Sequence, residues 1–275
     1  MKEEHLAGKR KKVSITTSRP AFNAAGKTVC IFGESPLVEE YAVRCLGRGF
    51  TVHVRFNPGP NGKKGDAGLV PKGAKPIKKA EPEPYCALEL TNTSREAKRR
   101  NLAELDRSVG GKIPLISSST TVATTEQSTW ISRSYRLIGL GAFPSLLEGS
   151  LLEFAPSPST DEATRAAARE FADALNKEST FVQDSIGLVL PRIICMLANE
   201  ACFALMEGVA GENDIDTAMR LGTNYPYGPL EWAERIGVRQ IQALLSALHE
   251  HFGEDRYRTA PLLKRAASLG VFPAR

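Results

Sequence analysis

At 275 residues, with 42% hydrophobic and 24% charged, the chain can bury a sizeable core and form one large or two modest domains, which excludes a wholly disordered chain. It has no run of about 18 uncharged apolar residues, and Met1 to Arg19 is basic without the apolar core of a secretory signal, so the expectation is a cytoplasmic protein with no membrane partner. Much of the net charge of +5 sits in two lysine-rich segments, Lys9 to Lys12 and Lys63 to Lys79, which read as solvated charge rather than as a nucleic-acid surface.

Residues 1–26 read as a basic flexible tail. The segment KTVCIFGESP (Lys27 to Pro36) then predicts a short buried strand bounded by Gly33, followed by the helical pattern LVEEYAVRCLGRG and a second strand, FTVHVRF, which makes a β-α-β unit. From Asn57 to Pro84 the chain is dominated by Gly, Pro, Lys and Glu, with only three large apolar residues, and a flexible loop is expected. Tyr85 to Leu90 predicts a strand. Ser94 to Val109 predicts a helix with Ser94 as its N-cap, stopped by Gly110 and Gly111. IPLISSS, RLIGLGAFPS and SLLEFAPSP predict three further strands, so the first 158 residues alternate strand and helix as an open, doubly wound α/β sheet requires.

The pair Ser159 and Glu162 then reads as a capping box opening an Ala-rich helix to about Lys177, followed by one strand-like piece, STFVQD. Beyond it the chain reads as helices alone, over about Ile186 to Gly208, Asp214 to Leu221 ended by Gly222, Pro229 to Ile236, Val238 to Phe252 and Ala260 to Leu269. The first of these is nearly apolar all round, which demands burial on every side and suggests a homodimer built on it. The expected division is therefore a sheet domain over 27–182, with the loop at 57–84, and a helical domain over 183–275. The five cysteines, Cys30, Cys45, Cys86, Cys195 and Cys202, form no CxxC or Cys/His cluster and read as reduced, mostly buried thiols with no metal site.

The runs DSIGLVLPRI, NEACFALMEGVAGENDIDTAMRLGTNYPYGPLEWAERIGV and PLLKRAASLG resemble, in wording, order and spacing, the helical substrate and dimerisation domain of 3-hydroxyacyl-CoA dehydrogenases. Upstream, LISSSTTVATTE and ALELTNTSREAK are similar to the strand-turn segments that line the nicotinamide site in that family, so the resemblance extends with gaps from Lys27 to Gly270. It implies a Rossmann-like sheet followed by an all-α domain of the 6-phosphogluconate dehydrogenase C-terminal type, NAD as cofactor, and an acyl-CoA-like small molecule as ligand.

Against that pattern the chemistry is incomplete. Oxidising a 3-hydroxyacyl thioester needs a base for the hydroxyl proton, and an imidazole is suited to the task. The family's His falls on Gly141, and the chain has no histidine between residues 54 and 248; Pro144 and Ser145 stand in for the Asn-Pro of the same turn, and Glu153 alone keeps the place of the orienting Glu. The Asn that holds the thioester carbonyl in the family falls on Pro191, which has no N–H to donate.

The glycine turn for the dinucleotide corresponds to Gly33-Glu34-Ser35-Pro36-Leu37-Val38, of which only Gly33 survives, and Arg55 stands where an acidic residue would meet the adenosine ribose. Lys98 matches a lysine of the nicotinamide region, although a single lysine on a helix is ordinarily solvent-exposed. Candidate site residues are thus Glu153, Thr120 and Thr121, with Gly33, Ser35, Arg55 and Lys98 on the cofactor side. The function expected is a 3-hydroxyacyl-CoA dehydrogenase-like protein that has lost or altered NAD-dependent activity and serves as a binding or scaffold subunit. The alternatives are an active NAD-dependent oxidoreductase with a non-standard site, and different chemistry on an acyl-CoA or related acid.

Overall fold

The computed structural model describes residues 22–58 and 69–272. The first β-α-β unit forms as expected, with β1 over Thr28–Gly33, α1 over Leu37–Gly47 and β2 over Thr51–Phe56. There follow β3 (Lys75–Pro76), β4 (Cys86–Leu90), α2 (Arg95–Ser108), β5 (Leu115–Ser118), α3 (Thr124–Ser128), β6 (Leu137–Leu140), β7 (Leu151–Pro156), α4 (Glu162–Ala174) and β8 (Glu178–Phe181). The eight strands make one sheet in the order β3-β2-β1-β4-β5-β6-β7-β8, with every neighbouring pair parallel except β6 and β7.

Both faces of the sheet are covered, which is why its central strands carry apolar residues at consecutive rather than alternate positions. Val29 and Ile31 of β1 face α1 and α4, packing near Tyr41, Ala42 and Phe171, whereas Cys30 and Phe32 join Leu102, Leu105 and Val109 on the α2 side. The order runs one way from β1 to β2 and the other from β4 to β5, so a crevice opens at the carboxyl ends of β1 and β4, where folds of this kind bind ligands.

The helical half comprises α5 (Leu190–Met206), α6 (Glu212–Thr223), α7 (Pro229–Ile236), α8 (Val238–Phe252) and α9 (Pro261–Leu269). Its core includes Ile194, Ala198 and Cys202 of α5, Leu244 and Leu248 of α8, and Leu263 of α9, and it also takes in Phe143 and Leu146 from the loop after β6. Asp216 fixes the α6-α7 corner by accepting the backbone N–H groups of Leu230 (2.8 Å) and Glu231 (2.9 Å).

Several expectations require correction. Only residues 59–68 of the anticipated 57–84 loop lie outside the described residues; β3 pairs with β2, and Val70 and Ile77, two of its three large apolar residues, pack on the core. The tail expected over 1–26 lies outside the description for residues 1–21, but Phe22 forms a three-ring cluster with Phe50 and Tyr85, and Ala24 is buried. Ser159 does not cap α4. Asp161 does, accepting the Thr164 N–H at 2.7 Å, while the Ser159 hydroxyl bonds to that of Ser157, and the helix ends at Ala174, before Asn176 turns left-handed. Gly222 lies inside α6, which runs one residue further and ends at left-handed Asn224. The α5 helix begins at Leu190 because Gly187 and Leu188 adopt positive φ and Pro191 fits the first turn. Within the chain α5 is not buried on every side, since Leu190, Ile193 and Met206 are exposed. No helix among the described residues is long and apolar enough to cross a membrane, and all five cysteines are buried, none in a disulfide. Burial pushes the Cys30 and Cys45 thiols up to about 12.

Candidate functional site

A cleft of about 1000 Å³ lies at the sheet's crevice, walled by Glu34 to Pro36 after β1, Phe56 and Asn57 at the end of β2, the start of α2, and the start of α8 from the helical half. Gly33 is needed at its floor, because a Cβ there would collide with the Leu90 carbonyl of the neighbouring strand. The residue after it sets the character of the site. One Glu34 carboxylate oxygen accepts the backbone N–H groups of Asn92 (2.8 Å) and Thr93 (3.1 Å) and the side-chain amide of Gln240 (2.7 Å), and the other accepts the Thr93 hydroxyl (2.5 Å).

Asn92 is the hub behind this arrangement. Its amide donates to the Ala142 carbonyl and to the Gln240 side-chain oxygen, and its own oxygen accepts the hydroxyls of Ser118 (2.6 Å) and Thr120 (2.7 Å). Thr121 donates to the Asn92 carbonyl at 2.8 Å. Both threonine candidates therefore spend their hydroxyls on holding the β4 turn against the β5 turn. Sequence reasoning missed Asn92 and Gln240. The polar TNTS run at the end of β4 is a signal for the first, whereas nothing around Gln240 distinguishes it from an ordinary surface glutamine of a helix.

The cofactor-side candidates are similarly committed. Arg55 lies over the Phe32 ring, with 3.6 Å from its guanidinium carbon to the centroid, and donates to Glu104 (2.5 Å), Asn101 (3.0 Å) and the Lys78 carbonyl (3.1 Å). Ser35 donates to Glu39 at 2.9 Å. Lys98 is not solvent-exposed as expected but 1% accessible, paired with Glu89 at 2.5 Å and donating to the Ser118 carbonyl at 2.8 Å. Taking that lysine out of water is tolerable because Glu89 and the carbonyl replace its hydration.

The NAD implied by the resemblance does not fit these residues as they stand. The donors that could meet a phosphate already hold the Glu34 carboxylate, Pro36 at the head of α1 has no N–H, Glu39 is an acidic residue in its first turn, and Arg55 is engaged elsewhere.

At the other end of the site, Gly141 lies beside Glu153, whose Cβ would be 3.3 Å from a Cβ on the glycine. The space shared by Gly141, Glu153, Leu152, Leu190 and Pro191 amounts to about 10 Å³, roughly one water. The Glu153 carboxylate accepts the N–H groups of Val189 (3.0 Å) and Leu190 (3.0 Å), so it caps the first turn of α5, with no side-chain imidazole between. Pro191 occupies that same turn. The structure thus brings Gly141, Glu153 and Pro191 together, and keeps Thr120 and Thr121 with Asn92 and Glu34 in a second cluster. Among the described residues no group of His, Cys, Asp and Glu could hold a metal ion.

Residues 187–275 match the family model described as the 3-hydroxyacyl-CoA dehydrogenase C-terminal domain. The chain is 47% identical over 109 residues to 3-hydroxyadipyl-CoA dehydrogenase of Escherichia coli strain K12, covering 40% of this chain and 23% of that protein. It is 31% identical over 183 residues to 3-hydroxybutyryl-CoA dehydrogenase of Bradyrhizobium diazoefficiens, covering 66% of this chain and 62% of that one, so it spans under two thirds of either relative. Among solved structures, (S)-3-hydroxybutyryl-CoA dehydrogenase from Ralstonia eutropha superposes with a TM-score of 0.71 at 26% identity, covering 89% of this chain and 94% of that one. Residues 187–275 are thus matched as a 3-hydroxyacyl-CoA dehydrogenase C-terminal domain, and over the sheet and helical halves together the chain is similar to a solved 3-hydroxybutyryl-CoA dehydrogenase.

Proposed function

We propose that the chain acts on the 3-hydroxyacyl-CoA side of metabolism as a binding or scaffold member of its family, holding an acyl-CoA-like group without carrying out hydride transfer itself. The observation that carries this reading is the closed position at Gly141, where about 10 Å³ remains beside a Glu153 already spent on capping α5. With Pro191 in place of the carbonyl-binding side chain, two positioned groups are missing, each typically worth about 10²- to 10⁴-fold. Oxidation of reduced NAD by acetoacetyl-CoA is therefore expected to match the buffer rate.

A second reading is an active NAD-dependent oxidoreductase on 3-hydroxyacyl-CoA, and the named activities of the relatives support it more directly than they support the first. It requires Glu34 to leave its donors and Glu153 to act as the base. A rate above buffer that falls in Glu153→Gln, a variant that keeps one acceptor for the α5 amides, would establish this reading over the first.

We also propose a cytoplasmic homodimer. Five buried cysteines with no disulfide among them suit a reducing compartment. The apolar residues left open on α5 and α6, including Ile193 (49% exposed) and Leu221 (78%), suit a face covered by a second copy. Sedimentation at micromolar concentration should give the mass of two chains, and the mass of one would end the dimer proposal.

A further inference from the structure

We propose that Glu34 is an internal ligand, a side-chain carboxylate seated in an anion cradle that the chain builds from the Asn92 and Thr93 N–H groups, the Thr93 hydroxyl and the Gln240 amide. All four donors are neutral, and they converge on one carboxylate at 2.5–3.1 Å. Two consecutive backbone N–H groups directed at one point form a nest for a negative group, and these stand just ahead of α2, a helix of 14 residues whose positive end favours an anion there.

The cradle does not depend on Glu34 for its shape. Asn92 is held by Ala142, Ser118 and Thr120, and the Gln240 amide is oriented by accepting from Asn92 through its oxygen at 3.1 Å, which leaves its nitrogen directed at Glu34. Asn92 and Gln240 are 4% and 5% exposed, so without the carboxylate their donors keep their direction toward the vacated position and are left without a protein acceptor. The cradle also joins the two halves of the molecule, since Glu34 and Asn92 belong to the sheet and Gln240 to α8. The cleft of about 1000 Å³ is lined by Glu34, Thr93 and Gln240, so a small solute can reach the position.

From this it follows that a carboxylate or phosphate anion from solution takes the place once the side chain is shortened, and that in the intact protein Glu34 keeps such anions from that one position. The inference rests on the cradle's geometry rather than on the loss of hydride transfer, and either can fail without the other.

The test is thermal unfolding of full-length Glu34→Ala and of the unaltered protein in sodium acetate, sodium phosphate and sodium chloride at matched ionic strength. The variant should lose about 5 °C in midpoint, and acetate or phosphate at roughly 0.1 M should restore about half of that loss where chloride does not. The unaltered protein should respond equally to all three salts. Adding Thr93→Val to the variant should abolish the recovery, and Glu34→Gln, which places an NH2 among the donors, should be destabilised without being rescued. A Glu34→Ala midpoint equal to that of the unaltered protein, or one that rises no more in acetate and phosphate than in chloride, overturns the proposal. Should Glu34→Ala not accumulate in folded form, its refolding yield across the same salts decides the question. Recovery in acetate or phosphate above chloride supports the cradle, and equal recovery overturns it.

Discussion

Glu40 lies in the first turn of α1, where its two carboxylate oxygens accept the Ser145 N–H at 3.0 and 3.1 Å. Burial pushes its carboxyl up to about 7, the Ser145 hydrogen bond offsets part of this, and the nearby charges of Glu148 and Glu39 add to it. Its folded value is raised, so the folded state keeps the proton over a range in which the unfolded chain has released it. Stability is lost as pH rises from about 4.5 to about 7 and is flat above that. Glu40→Gln, which still offers an acceptor to Ser145, should therefore stabilise the protein at pH 8 by about 1–2 kcal/mol after allowance for partial exposure, with little change near pH 5. Urea unfolding at the two pH values checks this, and an equal gain at both would contradict it. At this scale the sequence was least informative. That Gly141 and Pro191 depart from the family could be read directly, but that Arg55 pairs with Glu104 depends on a strand and a helix 49 residues apart, and that Lys98 pairs with Glu89, nine residues earlier, depends on how α2 packs back on β4.

Elements were more legible, because their signals are local. The alternation of strand and helix, the Ser94 cap and the α7, α8 and α9 bounds all follow from periodicity and capping within a dozen residues. Two misreadings have physical causes. The pattern SxxE is shared by Ser159 and Glu162, yet Ser157 and Thr160 hold that turn through their hydroxyls, and Asp161 is the residue left with extended backbone at the helix start. Asp161→Ala should thus cost about 1 kcal/mol, while Ser159→Ala should stay within about 0.5 kcal/mol; denaturant midpoints separate the two, and the reverse order would restore the capping box. The strand β3 escaped notice because a two-residue edge strand in a Lys- and Pro-rich stretch carries no periodicity, and it forms only because β2 offers it a free edge.

Across the whole molecule, a sheet with both faces buried and a helical half with its own core meet at the crevice. The loop after β6 lends Phe143 and Leu146 to the helical core, and the Glu34, Asn92 and Gln240 cluster bridges the two halves. The family, the layer order and the existence of two halves could be read from sequence, since they rest on long motifs. How the crevice is filled could not, since Gln240 lies 206 residues from Glu34. The central claim is that the residues lining this crevice do not fit the NAD that the family resemblance implies, because Glu34 holds the donors a phosphate would need. Calorimetric titration of the intact protein with oxidised and reduced nicotinamide dinucleotide tests it most directly. No saturable heat at ligand concentrations approaching roughly 1 mM is predicted, and a dissociation constant in the micromolar range for either form would contradict the account.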